Sequence, residues 1–340
     1  MRMKKIRTAV VGLNMGRGHA AAYANSERAE LAYVVDLDEA KAKKTAEEFG
    51  CDYAADWTEI LDEIDAVSLC TPHHLHGKQA LAAIAAGKHV LLEKPLANSE
   101  EECLQVLCAA EEQGVTLMLA YVVRYLPALR KLKEVLDSGR YGRIIHAESW
   151  VLGFLPPMPP ESWFSRTATL GGGVLFSHGC HYIDILLWLL GNPRKVVSLG
   201  TRNGTEWLEG EGTAHSTIEF ENGALGHLVC SWGTKVAEAA GRLHIHTTDA
   251  LIALSNDMWT LEAVTLQDGK KVRETLFERP AELPPGGNVA FEIEHFLECI
   301  ASGITPDTDG HDAMRSHRTI WAMYNSKGEA VDLAKKGANA

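Results

Sequence analysis

The sequence predicts an α/β protein with two parts, a doubly wound parallel sheet followed by an α+β domain whose large open sheet is mostly antiparallel. Three observations carry this. Apolar runs alternate with helical stretches as far as Ala120. The first of those runs, Ile6 to Val11, enters a glycine turn and then a helix. Beyond Arg124 the pattern changes to short strands separated by turn signals such as Glu221-Asn222-Gly223 and Gln267-Asp268-Gly269. The division is placed between 123 and 124, giving domains 1–123 and 124–340.

Composition sets the outer limits. The 340 residues are 46% hydrophobic and 23% charged, which suits a globular chain with substantial cores. A formal net charge of -12 argues against nucleic-acid or anionic-membrane partners, since both call for a basic face, and favours an uncharged small molecule. The start, Met1-Arg2-Met3-Lys4-Lys5, is basic, but the strand after it is too short for a signal-peptide core, and no run reaches membrane-spanning length. A cytoplasmic protein is expected. The seven cysteines show no Cys-x-x-Cys spacing and most lie in apolar segments, so buried reduced thiols are expected rather than disulfides or a zinc site, and no metal is called for.

Taken in order, the turn after the first strand is Gly12-Leu13-Asn14-Met15-Gly16-Arg17-Gly18. Small residues there let backbone approach a pyrophosphate, and the N–H groups at the helix start face it. Read from Gly12, the usual G-x-G-x-x-G places Asn14 and Arg17 at its second and third glycines; Gly12, Gly16 and Gly18 fit G-x-x-x-G-x-G instead. The second strand, Leu31 to Val35, ends in Asp36, a carboxylate able to accept both hydroxyls of an adenosine ribose and to repel a 2'-phosphate, so NAD is expected in preference to NADP. Asp38 is the natural cap of the helix Glu39 to Phe49.

Asp65 to Cys70 is a further strand, and Thr71-Pro72-His73-His74-Leu75-His76 leaves it at the carboxyl edge of the sheet, where open α/β sheets bind ligands. A helix from Gln79 to Ala86 leads to the strand Lys88 to Leu92 and then to Glu93-Lys94-Pro95. Proline denies Lys94 the helical region and offers no N–H, so the ammonium is aimed from the strand end. Ser99 caps a helix to Gln113, and Val115 to Ala120 is the last strand of this half, ending near Arg124-Tyr125.

In the second half a helix near Leu129 to Asp137 and a strand from Arg143 to Gly153 precede a stiff, aromatic loop, Leu155 to Phe164, able to wall a pocket. Gly171-Gly172-Gly173 leads through Ser177, His178, His181 and Asp184 into an apolar helix, Ile185 to Leu190. Short strands occupy Val196 to Phe277, and helices at Ala290 to Ala301 and Asp312 to Tyr324 close the chain. Trp163, Phe164, Arg166, Trp207 and Trp232 are candidates to stack on or hydrogen-bond a ligand, or to belong to the core or a subunit interface.

Glu93-Lys94-Pro95, Thr71-Pro72 with His76, Arg124-Tyr125, and the triple glycine ending in His181-x-x-Asp184 stand in one order. In this the chain resembles the glucose-fructose oxidoreductase/inositol dehydrogenase/rhizopine-catabolism (Gfo/Idh/MocA) family over most of its length. The resemblance implies a Rossmann domain for the cofactor, a second domain for substrate and oligomerisation, and NAD(P)-dependent oxidation or reduction of sugars, inositols and related polyols. It also implies a homodimer or homotetramer. It places Lys94 beside nicotinamide and substrate oxygen and gives His181 the hydroxyl proton, with Gly12, Asn14, Met15, Gly16, Asp36, Thr71, Pro72, His76 and Glu93 around the cofactor. Arg124, Tyr125, Trp163, Arg166, Ser177, His178 and Asp184 are candidates for the substrate side. Hydride leaves a carbinol carbon as its oxygen loses a proton, so a base and a cation are both needed, and histidine and lysine suit those tasks.

One departure stands out: where family members keep an aspartate four residues before the histidine, this chain has Ser177, which cannot raise the histidine's basicity by charge. His178 joining the site, Asp184 taking the polarising role, and altered chemistry are three ways to meet that change. Two other functions are consistent with the motifs, a glycosidase that retains NAD for transient oxidation and a non-catalytic NAD-binding regulatory protein.

Overall fold

The computed structural model describes residues 4–237 and 242–333. They form two compact units, one comprising the chain up to Val122 together with Glu282–Met314, the other comprising Val123–Ala281 and the chain from Arg315 onward. The first unit's opening segment ends at Val122, and the return of Glu282–Met314 to it has no signal in the sequence.

The first unit is built on six parallel strands, β1 (Ile6–Val11), β2 (Ala29–Val35), β3 (Asp52–Ala54), β4 (Ala66–Leu69), β5 (His89–Glu93) and β6 (Leu117–Ala120), in the order β3-β2-β1-β4-β5-β6. Central strands buried on both faces read as continuous apolar runs, as in β5, where Val90, Leu91 and Leu92 are 0% exposed. Burying each leucine contributes about 1.5–3 kcal/mol. Helices α1 (Gly16–Asn25), α2 (Glu39–Phe49), α3 (His76–Ala85) and α4 (Glu100–Gln113) connect the strands. Asp38 caps α2 by accepting from Lys41 N, and Ser99 caps α4 by accepting from Glu102 N. The short, largely exposed β3 is absent from the expected elements because three residues carry no readable alternation.

The second unit holds a nine-stranded sheet, β7 (Ile144–Leu152), β8 (Pro193–Thr201), β9 (Thr213–Phe220), β10 (Leu225–Ser231), β11 (Leu243–Thr247), β12 (Ala250–Leu254), β13 (Leu261–Gln267), β14 (Lys270–Phe277) and β15 (Val331–Asp332). The order is β14-β13-β12-β11-β7-β10-β9-β8-β15, antiparallel except where β10 runs parallel to β7. Its helices are α5 (Pro127–Asp137), α6 (Thr167–Leu170) and α7 (Cys180–Leu190), the last entered through a π turn, Leu175–Gly179. The turn at Asp268 and Gly269, both at positive φ, matches the hairpin signal there.

Two more helices follow. α8 (Val289–Ser302) packs on α1 in the first unit, and α9 (Gly310–Ser326) spans the boundary between Met314 and Arg315. The helical stretch Thr167–Leu190 is, contrary to expectation, long and apolar enough to span a bilayer; 89% of its most apolar window is buried, which identifies it as a core helix by its packing. All seven cysteines are free, and five of them are buried.

Candidate active site

Strand ends converge on one edge of the parallel sheet. Gly12 has φ +88, and a Cβ there would strike the Cys70 carbonyl at the end of β4. At Gly16 a Cβ would lie 2.6 Å from the Val10 side chain, so both glycines let the turn rest on the strands. Helix α1 begins without a side-chain cap, which leaves its first N–H groups available to an anion. Asn14 and Met15 are exposed beside it.

Asp36 closes β2 as expected, and its carboxylate is already organised. Oδ2 accepts from Leu13 N at 2.9 Å, Oδ1 from Asp38 N at 3.0 Å, and Lys41 Nζ is 2.9 Å away. Burial pushes this carboxyl up, but the hydrogen bonds from Lys41, Asp38 and Leu13 hold it below the ordinary value. Lys41 also reaches Asn14 Oδ1 at 3.2 Å. This cation beside the ribose-type acid was not foreseen, although it follows Asp38 by three residues on the first turn of a legible helix. The turn, uncapped helix start and acid together fit a nicotinamide dinucleotide.

At the next strand ends, Thr71 Oγ1 donates to Gln79 Oε1 at 2.5 Å. His76 is buried, with Nδ1 2.6 Å from the Pro95 carbonyl and Nε2 2.8 Å from that of Thr71. His76 thus lies between the Thr71-Pro72 and Lys94-Pro95 loops, and as a neutral imidazole it donates its single N–H to one of the two carbonyls. Burial pulls the His76 pKa down against the two carbonyls. Lys94 follows β5 through a cis peptide bond to Pro95 and is half-buried.

Behind Lys94 lies a buried acid pair. Glu93 Oε2 accepts from Lys94 N at 3.2 Å, and Oε1 lies 3.4 Å from His19 Nε2. Burial raises the Glu93 carboxyl, yet the adjacent His19 ring and the Lys94 charge bring it below the ordinary value. Glu292 Oε1 lies 4.0 Å from the same Nε2, and burial followed by the charge of Glu93 pushes its carboxyl well up. His19 Nδ1 lies 3.2 Å from Ser68 Oγ, which Tyr23 Oη meets at 2.9 Å. Glu292, an acid inside the apolar run of α8, was not among the residues singled out from the sequence.

In the second unit, Ser177, His178 and His181 lie on the π turn and the start of α7, with Ser177 3% and His181 8% exposed. His178 accepts from Trp232 Nε1 at 3.3 Å, and its ring centroid is 6.4 Å from that of His181. Aromatic rings continue outward: Trp232 to Phe164 at 5.0 Å, Phe164 to Trp163 at 5.2 Å and Phe164 to Trp207 at 6.4 Å. Trp163 and Phe164 of the aromatic loop thus pack with Trp207 and Trp232, and Trp232 meets His178. Arg166 is exposed at the start of α6.

Two expected site residues have other partners. Arg124 and Asp184 are each 1% exposed and pair through both carboxylate oxygens, with Nε donating to Oδ2 at 2.9 Å. Asp184 is one turn inside α7, and its carboxylate is a counter-ion of Arg124. Tyr125 is buried, with Arg130 stacked 4.8 Å from its ring centroid.

The strand order of the first unit, with its glycine turn after β1, defines the class as a Rossmann-fold protein that takes a dinucleotide. Residues 6–121 match the model of an oxidoreductase family with an NAD-binding Rossmann fold, GFO/IDH/MocA, and residues 129–253 match that family's C-terminal domain. The chain belongs to the Gfo/Idh/MocA oxidoreductase family. It is 29% identical over 314 residues to D-xylose 1-dehydrogenase (NADP(+)) 2 of Haloferax volcanii, covering 89% of this chain and 92% of that one. It is likewise 29% identical over 349 residues to scyllo-inositol 2-dehydrogenase (NAD(+)) of Bacillus subtilis, 98% of each chain being covered. In fold it is similar to a levoglucosan dehydrogenase in complex with NADH and levoglucosan, at a TM-score of 0.85 and 24% identity over 97% of this chain and 100% of the other.

Proposed function

We propose that this protein is an NAD-dependent dehydrogenase that moves hydride between a secondary hydroxyl of a sugar, glycoside or cyclitol and the nicotinamide. The observation that carries this reading is the aromatic shelf from Trp163 to Trp232 ending on the His178–His181 pair, a surface suited to a ring with an apolar face and hydroxyl edges. When bound, the dinucleotide supplies the carbon that accepts or returns the hydride. In this reading His181 takes the hydroxyl proton, and the Lys94 ammonium stabilises the developing alkoxide. Glu93, held ionised by His19, balances the lysine and fixes its backbone. Asp36 favours NAD by meeting the ribose hydroxyls.

The relatives named above support the substrate class, since they are named for xylose and inositol. The reading extends to a homodimer or homotetramer formed through the sheet face that carries Glu148, His227 and His244 in register and the His146–His246 ring pair, which sedimentation would test. The function itself is tested by adding NAD and a panel of aldoses, anhydrosugars and inositols and following NADH absorbance. Net NADH supports a dehydrogenase; a cleaved glycoside without NADH supports the NAD-retaining alternative.

A further inference from the structure

The triple glycine before His181 has a structural partner that the reaction itself does not explain. The segment Gly173 to Phe176 opens the helical run that carries Ser177, His178 and His181, and no side chain of its own caps it. A helix start leaves four backbone N–H groups without intrahelical acceptors. Here all four are met by two residues from distant elements. Gly173 N donates to Tyr324 Oη at 3.0 Å and Phe176 N donates to the same oxygen at 3.2 Å. Val174 N donates to the Glu211 carbonyl at 2.8 Å, and Leu175 N to Glu211 Oε1 at 3.0 Å. Tyr324 Oη in turn donates to Glu211 Oε1 at 3.0 Å, locking the two capping groups together. The next amide, Ser177 N, is the first to find its acceptor within the segment, at Gly173 O, 3.0 Å away.

The glycines are what let the cap approach. A Cβ on Gly172 would lie 2.6 Å from Tyr324 Oη, and one on Gly173 would run into both the carbonyl and the carboxylate of Glu211. Gly210, next to Glu211 in sequence, could carry no Cβ either, since it would sit 2.6 Å from Gly172 O. The cap borders directly on the π turn Leu175–Gly179. A π turn holds one residue more than α geometry, so its relaxation would rotate whatever follows by about 100° around the helix axis.

We propose that Glu211 and Tyr324 are positioning residues for His181, an external cap that fixes the start and register of the helical run on which Ser177, His178 and His181 are carried. The inference rests on the assignment of His181 to the reaction, but its structural half can be tested without it.

The experiment compares full-length wild type, Glu211→Ala, Glu211→Gln, Tyr324→Phe and His181→Ala. It reads NADH affinity by fluorescence, kcat with NAD and the most active sugar of the panel, and the histidine side-chain NMR signals, with His181→Ala assigning its own. Glu211→Ala and Tyr324→Phe are expected to lower kcat by about tenfold or more and to shift the His181 signal, as displacement of a reacting group does. NADH affinity should stay within about twofold of wild type, because the cofactor fold is a separate unit. Glu211→Gln, whose amide oxygen still accepts both hydrogen bonds, should restore kcat and signal position. Wild-type kcat and an unmoved His181 signal in folded Tyr324→Phe and Glu211→Ala would overturn the proposal, as would a glutamine variant as impaired as alanine. If Glu211→Ala does not fold, Tyr324→Phe decides. Full turnover in His181→Ala would instead remove the functional reading, while the NMR shift would still report on the cap.

Discussion

Arg124 and Asp184 form a buried ion pair in the second unit, guanidinium against carboxylate, with Nε to Oδ2 at 2.9 Å and 1% exposure on each side chain. The pair fastens the chain near Val123, where this unit begins, to the middle of α7. Trp188, one turn further along α7, lies under the same guanidinium at 5.5 Å. Removing one partner of such a pair leaves a charge in a low-dielectric site. Asp184→Ala is therefore expected to destabilise the protein by about 3–5 kcal/mol, read as the shift in denaturant midpoint. A change below about 1 kcal/mol would show that the pair does not anchor the helix.

Glu292 gives a pH-dependent stability. Its folded-state pKa lies above the ordinary carboxylate value, so between the two values the folded state binds more protons than the unfolded one, and stability falls as pH rises through that window. Neither of its oxygens has a hydrogen-bond partner among the described residues. Glu292→Gln removes the titration. The variant is expected to melt higher than wild type at neutral pH, with the gap closing as the pH drops to the ordinary carboxylate value. Parallel melting curves across that range would contradict the assignment.

On the proposed function, cofactor choice turns on Asp36 and Lys41, 2.9 Å apart. Asp36→Asn removes the charge that repels a 2'-phosphate and releases the ammonium to pair with one. The ratio of NADP to NAD affinity is expected to rise by about tenfold or more, a change of roughly 1.4 kcal/mol. An unchanged ratio would mean that the ribose lies elsewhere.

Most of the first unit can be read directly from residue patterns, because its strands are buried runs and its helices carry local stop and start signals such as Asp38, Ser99, Gly50 and Gly114. The glycine turn, Asp36 and Glu93-Lys94 were legible for the same reason, being contiguous with those elements. What escaped is what depends on distant segments meeting. Glu292 reaches His19 only because α8 returns to the first unit, and Glu211 and Tyr324 reach the triple glycine from a loop and a late helix. Asp184, one candidate to act on His181 by their spacing on one helix, pairs with Arg124, sixty positions earlier. Local spacing says which side chains could meet and cannot say which tertiary partner claims them first.

The most direct test of the function is NADH formation by wild type, Lys94→Ala and His181→Ala with NAD and the sugar panel, NADH affinity being measured in parallel to show that each variant is folded. The predicted result is turnover in wild type, none in Lys94→Ala, and a fall of about 10²–10⁴-fold in His181→Ala, with NADH still bound by all three. Wild-type turnover in both variants would contradict the account.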